Sequence, residues 1–410
     1  MSRGGDEALR PGPSFRACLP LLARPDLVWL DHAATTPTAA PAIQALVHHY
    51  QMDHGNVHRG LHRQAEAATA AYEGARARVA SFLGAPDPRG VIFTSGATAA
   101  LNLAARGWGG RLGPGDRVVV SALEHHSSLL PWRALARERG ATVETLPLDP
   151  SSGVDLGVAA RALAGASALV LTARSNVLGL APPVAALCAL ARGLGVLSVV
   201  DAAQAVARDR PDVTGWGCDL LAFSGHKVYG PTGIGALVVR PGVLDAGRPP
   251  TWGGGMVALV DDEAEQARPA PWGWEAGTPP IADAVGLAAA LDLLRRLDPA
   301  EARAWVDGLC ARLQDGLAAR GDVVILGDLA APARGGVLSF QVQGVHPHDV
   351  AEILASRGVA VRAGDHCAAP LMRRLGHESA VRASLGPANT AADVDALLHG
   401  LDAVREVFPR

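Results

Sequence analysis

Lysine is almost missing from this chain: of its 37 Lys and Arg residues, only Lys227 is a lysine. Aromatic residues are scarce at 4%, and there are five cysteines, Cys18, Cys188, Cys218, Cys310 and Cys367. Their odd number and wide spacing, with no CxxC pair, speak against a disulfide framework and indicate no metal site. Four of them sit in apolar contexts and read as small buried hydrophobes; Cys367, in a polar loop, does not. Although 49% of the residues are hydrophobic, no apolar run approaches the roughly 20 residues of a membrane-spanning helix. The opening MSRGGDEALRPGPSFRACLP has no apolar core, so it does not read as a secretory signal. A cytoplasmic chain without membrane contact is expected. The net charge is −3 with both signs interspersed, and the absence of a basic stripe with interleaved aromatics argues against a nucleic-acid partner.

What is present alternates. Between about residues 27 and 240, the apolar runs VWL, VIFTS, RVVVSA, ATVETLPL, ALVLTA, VLSVVDA, LLAFSG and GALVVR read as strands. Helix-length segments 65–83, 98–108, 130–139, 156–163 and 184–194 separate them. This pattern predicts an α/β fold with a mostly parallel sheet covered by helices on both faces. A Gly, Pro and Trp-rich stretch at about 250–280 reads as loops or a hairpin. Two long helices, 281–297 and 299–320, and a compact αβ pattern follow. The expected organisation is an N-terminal segment 1–26, a large domain 27–297 and a smaller α+β domain 298–410 that carries the Cys367 loop. In open sheets of this class, ligands bind beyond the carboxyl ends of the strands, so the residues just after each run matter most.

Arginine can replace lysine in surface ion pairs, but its guanidinium stays protonated and cannot form an imine, whereas a desolvated lysine amine can. A lone lysine is either a chance survivor or a site that needs an amine, and its neighbours decide. Lys227 follows a strand in LLAFSGHKVYGPTGIGALVV, with glycines that let the backbone approach a bound group and with Ser224 and His226 as donors suited to phosphate. GVLSVVDAAQAV ends a strand at Asp201, with Gln204 three positions on. Alone, Asp201 would read as a helix cap. Beside Lys227 at a neighbouring strand end, it reads as the partner of a pyridinium nitrogen. VIFTSGATAALN makes a tight turn through Ala97 and Thr98 into a helix, a ready anion site.

In RVVVSALEHHSSLLPW, His125 and His126 follow another strand; an imidazole there either stacks on a cofactor ring or is structural. Cys367 lies in VAVRAGDHCAAPLM. A free thiol is only partly ionised at neutral pH, so a nucleophilic role needs help; His366 can assist and the charge of Asp365 opposes. Arg382 in AVRASLGP offers a planar two-point contact for a carboxylate.

With these motifs in order, together with LDHAATTP, NVHRGLH, SNVLGL and EAGTPP, the chain resembles fold type I, class V aminotransferase-fold enzymes. Within them it resembles the SufS-type, group II cysteine desulfurases and selenocysteine lyases. The resemblance implies pyridoxal 5′-phosphate as cofactor, carried by Lys227, with Asp201 at the pyridine nitrogen and His125 on the ring. It places Gln204 and Asn176 at the phenolic-oxygen side, and Ala97, Thr98, Ser224 and His226 at the phosphate. Thr278 would reach the cofactor of a second subunit, which implies a homodimer. It further implies conversion of L-cysteine, or L-selenocysteine, to alanine, with Lys227 as base, Arg382, Arg362 and His58 at the substrate, and Cys367 receiving the sulfur. A sulfur-acceptor protein would follow, in iron–sulfur cluster assembly or a dedicated pathway. The alternative is another class V activity: a C–S lyase, epimerase or aminotransferase. The sequence departs from the family pattern where Asp365 replaces a histidine beside Cys367, where Ser127-Ser128 follow the histidine pair, and where Pro280 replaces an asparagine.

Overall fold

A computed structural model describes residues 8–328 and 334–409. The first seven residues of the expected N-terminal segment, and residues 329–333 and 410 of the expected smaller domain, lie outside the described residues. Seven strands form the main sheet: β1 (Val91–Thr94), β2 (Arg117–Val120), β3 (Thr142–Thr145), β4 (Ala168–Thr172), β5 (Leu197–Asp201), β6 (Leu220–Ser224) and β7 (Gly235–Val239). Their order is β1-β7-β6-β5-β4-β2-β3, with β7 antiparallel to both neighbours and the other pairings parallel. Strands β4, β6 and β7 are buried at every residue, which is why they read as unbroken apolar runs rather than alternating ones. β3, at the edge, alternates in exposure instead. Helices Arg63–Phe82, Ala97–Trp108, His126–Arg139 and Val184–Gly193 cover the faces.

A second, four-stranded antiparallel sheet gathers the C-terminal part: β8 (Val323–Ile325), β9 (Val337–Val342), β10 (Arg362–Gly364) and β11 (Ala380–Ser384), ordered β8-β9-β11-β10. Helices Pro299–Ala318, Pro347–Ser356 and Ala391–Val407 pack over it and close a core of its own. The expected first strand does not join the main sheet. Val28–Trp29 pairs in parallel with Val359–Ala360, because Leu30 is buried in the C-terminal core. That crossing brings Asp31 beside Ser384, and so beside the strand that carries Arg382. The stretch at 250–280 contains a short hairpin, Val257–Val260 with Glu265–Ala267. Cys188, Cys218 and Cys310 are buried as expected, whereas Cys18 is only half-buried.

One buried ion network ties the front of the main sheet to the loop that holds Thr278. Arg76, 1% exposed, binds both Glu275 oxygens at 2.7 and 2.9 Å, Glu73 at 2.8 Å, and the Val91 carbonyl at 2.7 Å. Glu275 also accepts the Phe93 N–H at 2.7 Å and the Tyr72 hydroxyl at 2.9 Å. Removing one partner of a buried pair strands the other charge, at about 3–5 kcal/mol. Glu275→Ala is therefore expected to lower unfolding stability by about that amount, read as a reduced urea midpoint with an unchanged slope; a midpoint equal to wild type would show that the network contributes nothing.

Candidate active site

The carboxyl ends of β1, β2, β4, β5 and β6 open on one edge of the main sheet, and a cavity of about 390 Å³ lies there. Its wall includes Ala97, Thr98, His125, Asn176, Asp201, Gln204, Ser224, His226, Lys227, Arg362, Cys367 and Arg382. Twelve of the fourteen residues given cofactor, substrate or sulfur-receiving roles on the sequence thus meet at one place. His58 and Thr278 do not: they share a separate pocket of about 210 Å³ with Arg59, Trp272 and Glu275.

Local chemistry explains the placement of each group. β1 runs through Gly96, whose φ of 144° starts the helix Ala97–Trp108. A Cβ on the facing Gly235 would lie 2.6 Å from the Gly96 Cα, so the two segments approach this closely only because residue 235 is a glycine. The Ser224 hydroxyl accepts the Ala97 N–H at 2.7 Å, and the Thr98 hydroxyl pairs with Ser127 at 2.7 Å. His226 Nδ1 lies 3.2 Å from the Thr35 hydroxyl. This is a helix start ringed by hydroxyl and imidazole groups, a setting that favours an anion.

Lys227 follows β6 on a single helical turn, Gly225–Lys227. Burial pushes its amine below the ordinary lysine value, while the Asp201 charge opposes the shift. A lowered amine spends more time neutral and nucleophilic. Burial raises the Asp201 carboxyl, against the Ala203 N–H bond (3.0 Å) and the Lys227 charge. A cation placed against Asp201 would restore its charge. His125 caps the helix His126–Arg139 by accepting the Ser127 N–H at Nδ1 (3.0 Å). Burial, then Lys227, lowers the His125 ring to about 4, so it is neutral at pH 7. Gln204 donates to the Ala33 carbonyl at 2.6 Å.

On the opposite wall, Arg382 is 2% exposed and donates to Asp31 (3.3 Å) and to the Asn176 carbonyl (3.1 Å). Asp31 also accepts two bonds from the half-exposed Arg362, at 3.1 and 2.9 Å. Cys367 is exposed at the mouth of the cavity. His366 and Cys367 both adopt left-handed backbone, φ 54° and 53°, at a cost of about 1–3 kcal/mol each that the surroundings must impose. Asp365 Oδ1 accepts the Cys367 N–H at 3.0 Å, so its carboxylate is engaged with the turn's backbone.

The family model described as Aminotransferase class-V matches residues 28–397. The chain belongs to this family. A probable cysteine desulfurase of Pseudomonas putida is 44% identical over 404 residues, spanning 97% of this chain and 100% of that one. The crystal structure of the cysteine desulfurase CsdA (S-sulfonic acid) from Escherichia coli is similar at 38% identity and a TM-score of 0.89, over 96% of this chain and 98% of that one. The apo structure of a cysteine desulfurase from Thermococcus onnurineus NA1 gives 36% identity and a TM-score of 0.93, over 98% and 100%. The family is pyridoxal-phosphate-dependent and the fold is type I, as the sequence led us to expect.

Two groups in this class V site went unremarked in the sequence. Asp31 joins Arg362 and Arg382, yet a single acid after a two-residue strand carries no signal of its own. Glu124 is fully buried. It accepts the Ser121 hydroxyl at 2.5 Å, the Thr172 N–H at 2.7 Å and the Ser128 hydroxyl, fastening the ends of β2 and β4 to the helix that His125 caps. Burial raises its carboxyl to about 8. An acid immediately before a histidine pair at a strand end was the available clue.

Proposed function

We propose that this chain is a pyridoxal-phosphate-dependent cysteine desulfurase that converts L-cysteine to L-alanine and leaves the sulfur on Cys367. The observation that carries this reading is one cavity walled by both a lysine amine, that of the half-buried Lys227, and an exposed thiol, Cys367.

The residues present fit the cofactor. The helix start at Ala97, with Thr98, Ser224 and His226, would hold its phosphate; Asp201, buried with a single backbone donor, would take its pyridinium; His125 would lie against its ring, and Gln204 and Asn176 beside its phenolic oxygen. When bound, the cofactor supplies an electron sink for charge developed at the substrate Cα. Lys227 Nζ would hold the cofactor and serve as the base that takes the Cα proton. The Arg382 guanidinium, kept in plane by Asp31 and the Asn176 carbonyl, binds the substrate carboxylate, with Arg362 beside it. Cys367 Sγ attacks the substrate sulfur: an S–S bond forms, the substrate C–S bond breaks with its electron pair left towards the β-carbon, the β-carbon gains a proton, and a proton returned to Cα from Lys227 completes alanine. The persulfide then passes its outer sulfur to an acceptor thiol or protein, for iron–sulfur assembly or a dedicated pathway.

A homodimer, a cytoplasmic location and the division into domains 27–297 and 298–410, with the site between, belong to the same reading. The dimer is supported by the exposed apolar residues Ile43, Val47, Tyr50 and Met52 on helix Ala40–Met52, and by Leu61 at 97% exposure. These flank the segment bearing His58, whose pocket also holds Thr278. In this reading, both residues serve the partner's cavity. Among the described residues, no helix is long and apolar enough to cross a membrane.

The test is direct. Purified holoenzyme given L-cysteine and a reducing thiol should release alanine and sulfide in equal amounts. Cofactor absorbance without alanine would overturn the desulfurase reading and leave another amino acid as substrate.

A further inference from the structure

The Cys367 turn is fastened to the main sheet at named points. The His126 N–H donates to the Cys367 carbonyl at 2.7 Å, and the Asn176 side-chain amide donates to the His366 carbonyl at 2.7 Å. Two residues beyond Cys367, the Ala369 N–H donates to His126 Nε2 at 3.1 Å. An Nε2 that receives an N–H must carry a lone pair, so the His126 ring acts here as an acceptor. The left-handed pair His366 and Cys367 is thus held by acceptors and donors on both sides, and His126 supplies two of them.

We propose that His126 is the positioning residue of the nucleophile. Its backbone and ring together fix the Cys367 turn against the carboxyl end of β2, a role that builds on the desulfurase reading. The adjacent histidines divide the work: His125 lines the cavity, whereas His126 is not among its lining residues and its ring meets the Ala369 amide. Because the two are neighbours on one helix start, the thiol is referenced to the cavity through a single peptide step. Strained backbone at Cys367 persists because this clamp over-determines it.

The experiment compares wild-type holoenzyme with His126→Phe, which keeps a flat ring but no acceptor, and His126→Gln, which restores an acceptor near the Nε2 position. Hydrogen exchange of the Ala369 amide should be slow in wild type and His126→Gln and fast in His126→Phe. Alkylation of Cys367 by iodoacetamide should accelerate in the Phe variant. Its kcat for L-cysteine should fall about 100-fold, the order expected for a misplaced reacting group, with KM and cofactor absorbance unchanged. Should the Phe variant fail to bind cofactor, His126→Leu carries the same expectation. A Phe or Leu variant with Ala369 protection and kcat within about twofold of wild type, a scale far below the misplacement effect, would overturn the proposal. So would a Gln variant as impaired as the Phe variant. If wild type itself makes no alanine, the desulfurase reading fails, while the exchange and alkylation results still decide the clamp.

Discussion

Lys227→Ala should abolish turnover of L-cysteine, by about 10⁴-fold or more, since general-base removal alone costs about 10²–10⁴ and covalent hold on the cofactor is lost with it. Substitution should also remove the yellow absorbance after dialysis. The chain has no replacement amine on any side chain, because Lys227 is its only lysine. Lys227→Arg sharpens the test. It keeps a cation opposite Asp201, which burial otherwise drives towards its neutral form, but guanidinium cannot be a nucleophile or a base at neutral pH. Equal inactivity of Ala and Arg variants would assign the loss to the amine itself and not to the missing charge. Activity in either variant above a few hundredths of wild type, well beyond what this range allows, would remove Lys227 from the mechanism. Reduction with borohydride gives an independent reading: the cofactor should become fixed to one peptide, the one containing Lys227.

Why were Lys227 and Asp201 legible while Asp31 was not? Asp201 ends one buried apolar strand and Lys227 follows the end of the next, and strand ends of an open parallel sheet converge on one edge by topology alone. Sequence therefore locates them relative to each other before any contact is known. Asp31 acts through Arg382, 351 positions away, and the His126 ring through Ala369, 243 positions away. Neither pairing leaves a periodic or local trace. The crossing of Val28–Trp29 to Val359–Ala360 has the same character: a short apolar run looks alike whichever sheet receives it. Helix Ala40–Met52 was not foreseen either, despite its proline near the first turn, because Ile43, Val47, Tyr50 and Met52 are exposed and blur the apolar stripe expected of a helix packed on one face. Helix His126–Arg139 starts four residues before the expected Leu130 and keeps Pro131 inside it. The sequence likewise set Asp365 against the thiol as a bare charge, whereas its side chain accepts the Cys367 N–H and so helps to shape the turn.

Cys367→Ala is expected to keep the cofactor and its absorbance, because Cys367 stands exposed at the mouth of the cavity and none of the groups ringing the helix start depends on it. Turnover of L-cysteine should nonetheless fall by about 10³-fold or more, the scale on which a correctly held reactant contributes. No other thiol can take over. Cys188 and Cys310 are buried, and burial pushes them to about 12 and about 11; Cys218 is raised too, and Cys18 is half-buried and raised. All four are kept as thiols, which are poor nucleophiles. Cys367, by contrast, is exposed on the wall that also carries Lys227, Arg362 and Arg382. Wild type treated with L-cysteine in the absence of reductant should gain one sulfur atom, on the peptide containing Cys367 and on no other. If instead Cys367→Ala releases alanine at the wild-type rate, the sulfur departs without an enzyme thiol. The same cavity then performs lyase chemistry, with Lys227 retained as its base and the Cys367 turn without a part in the reaction.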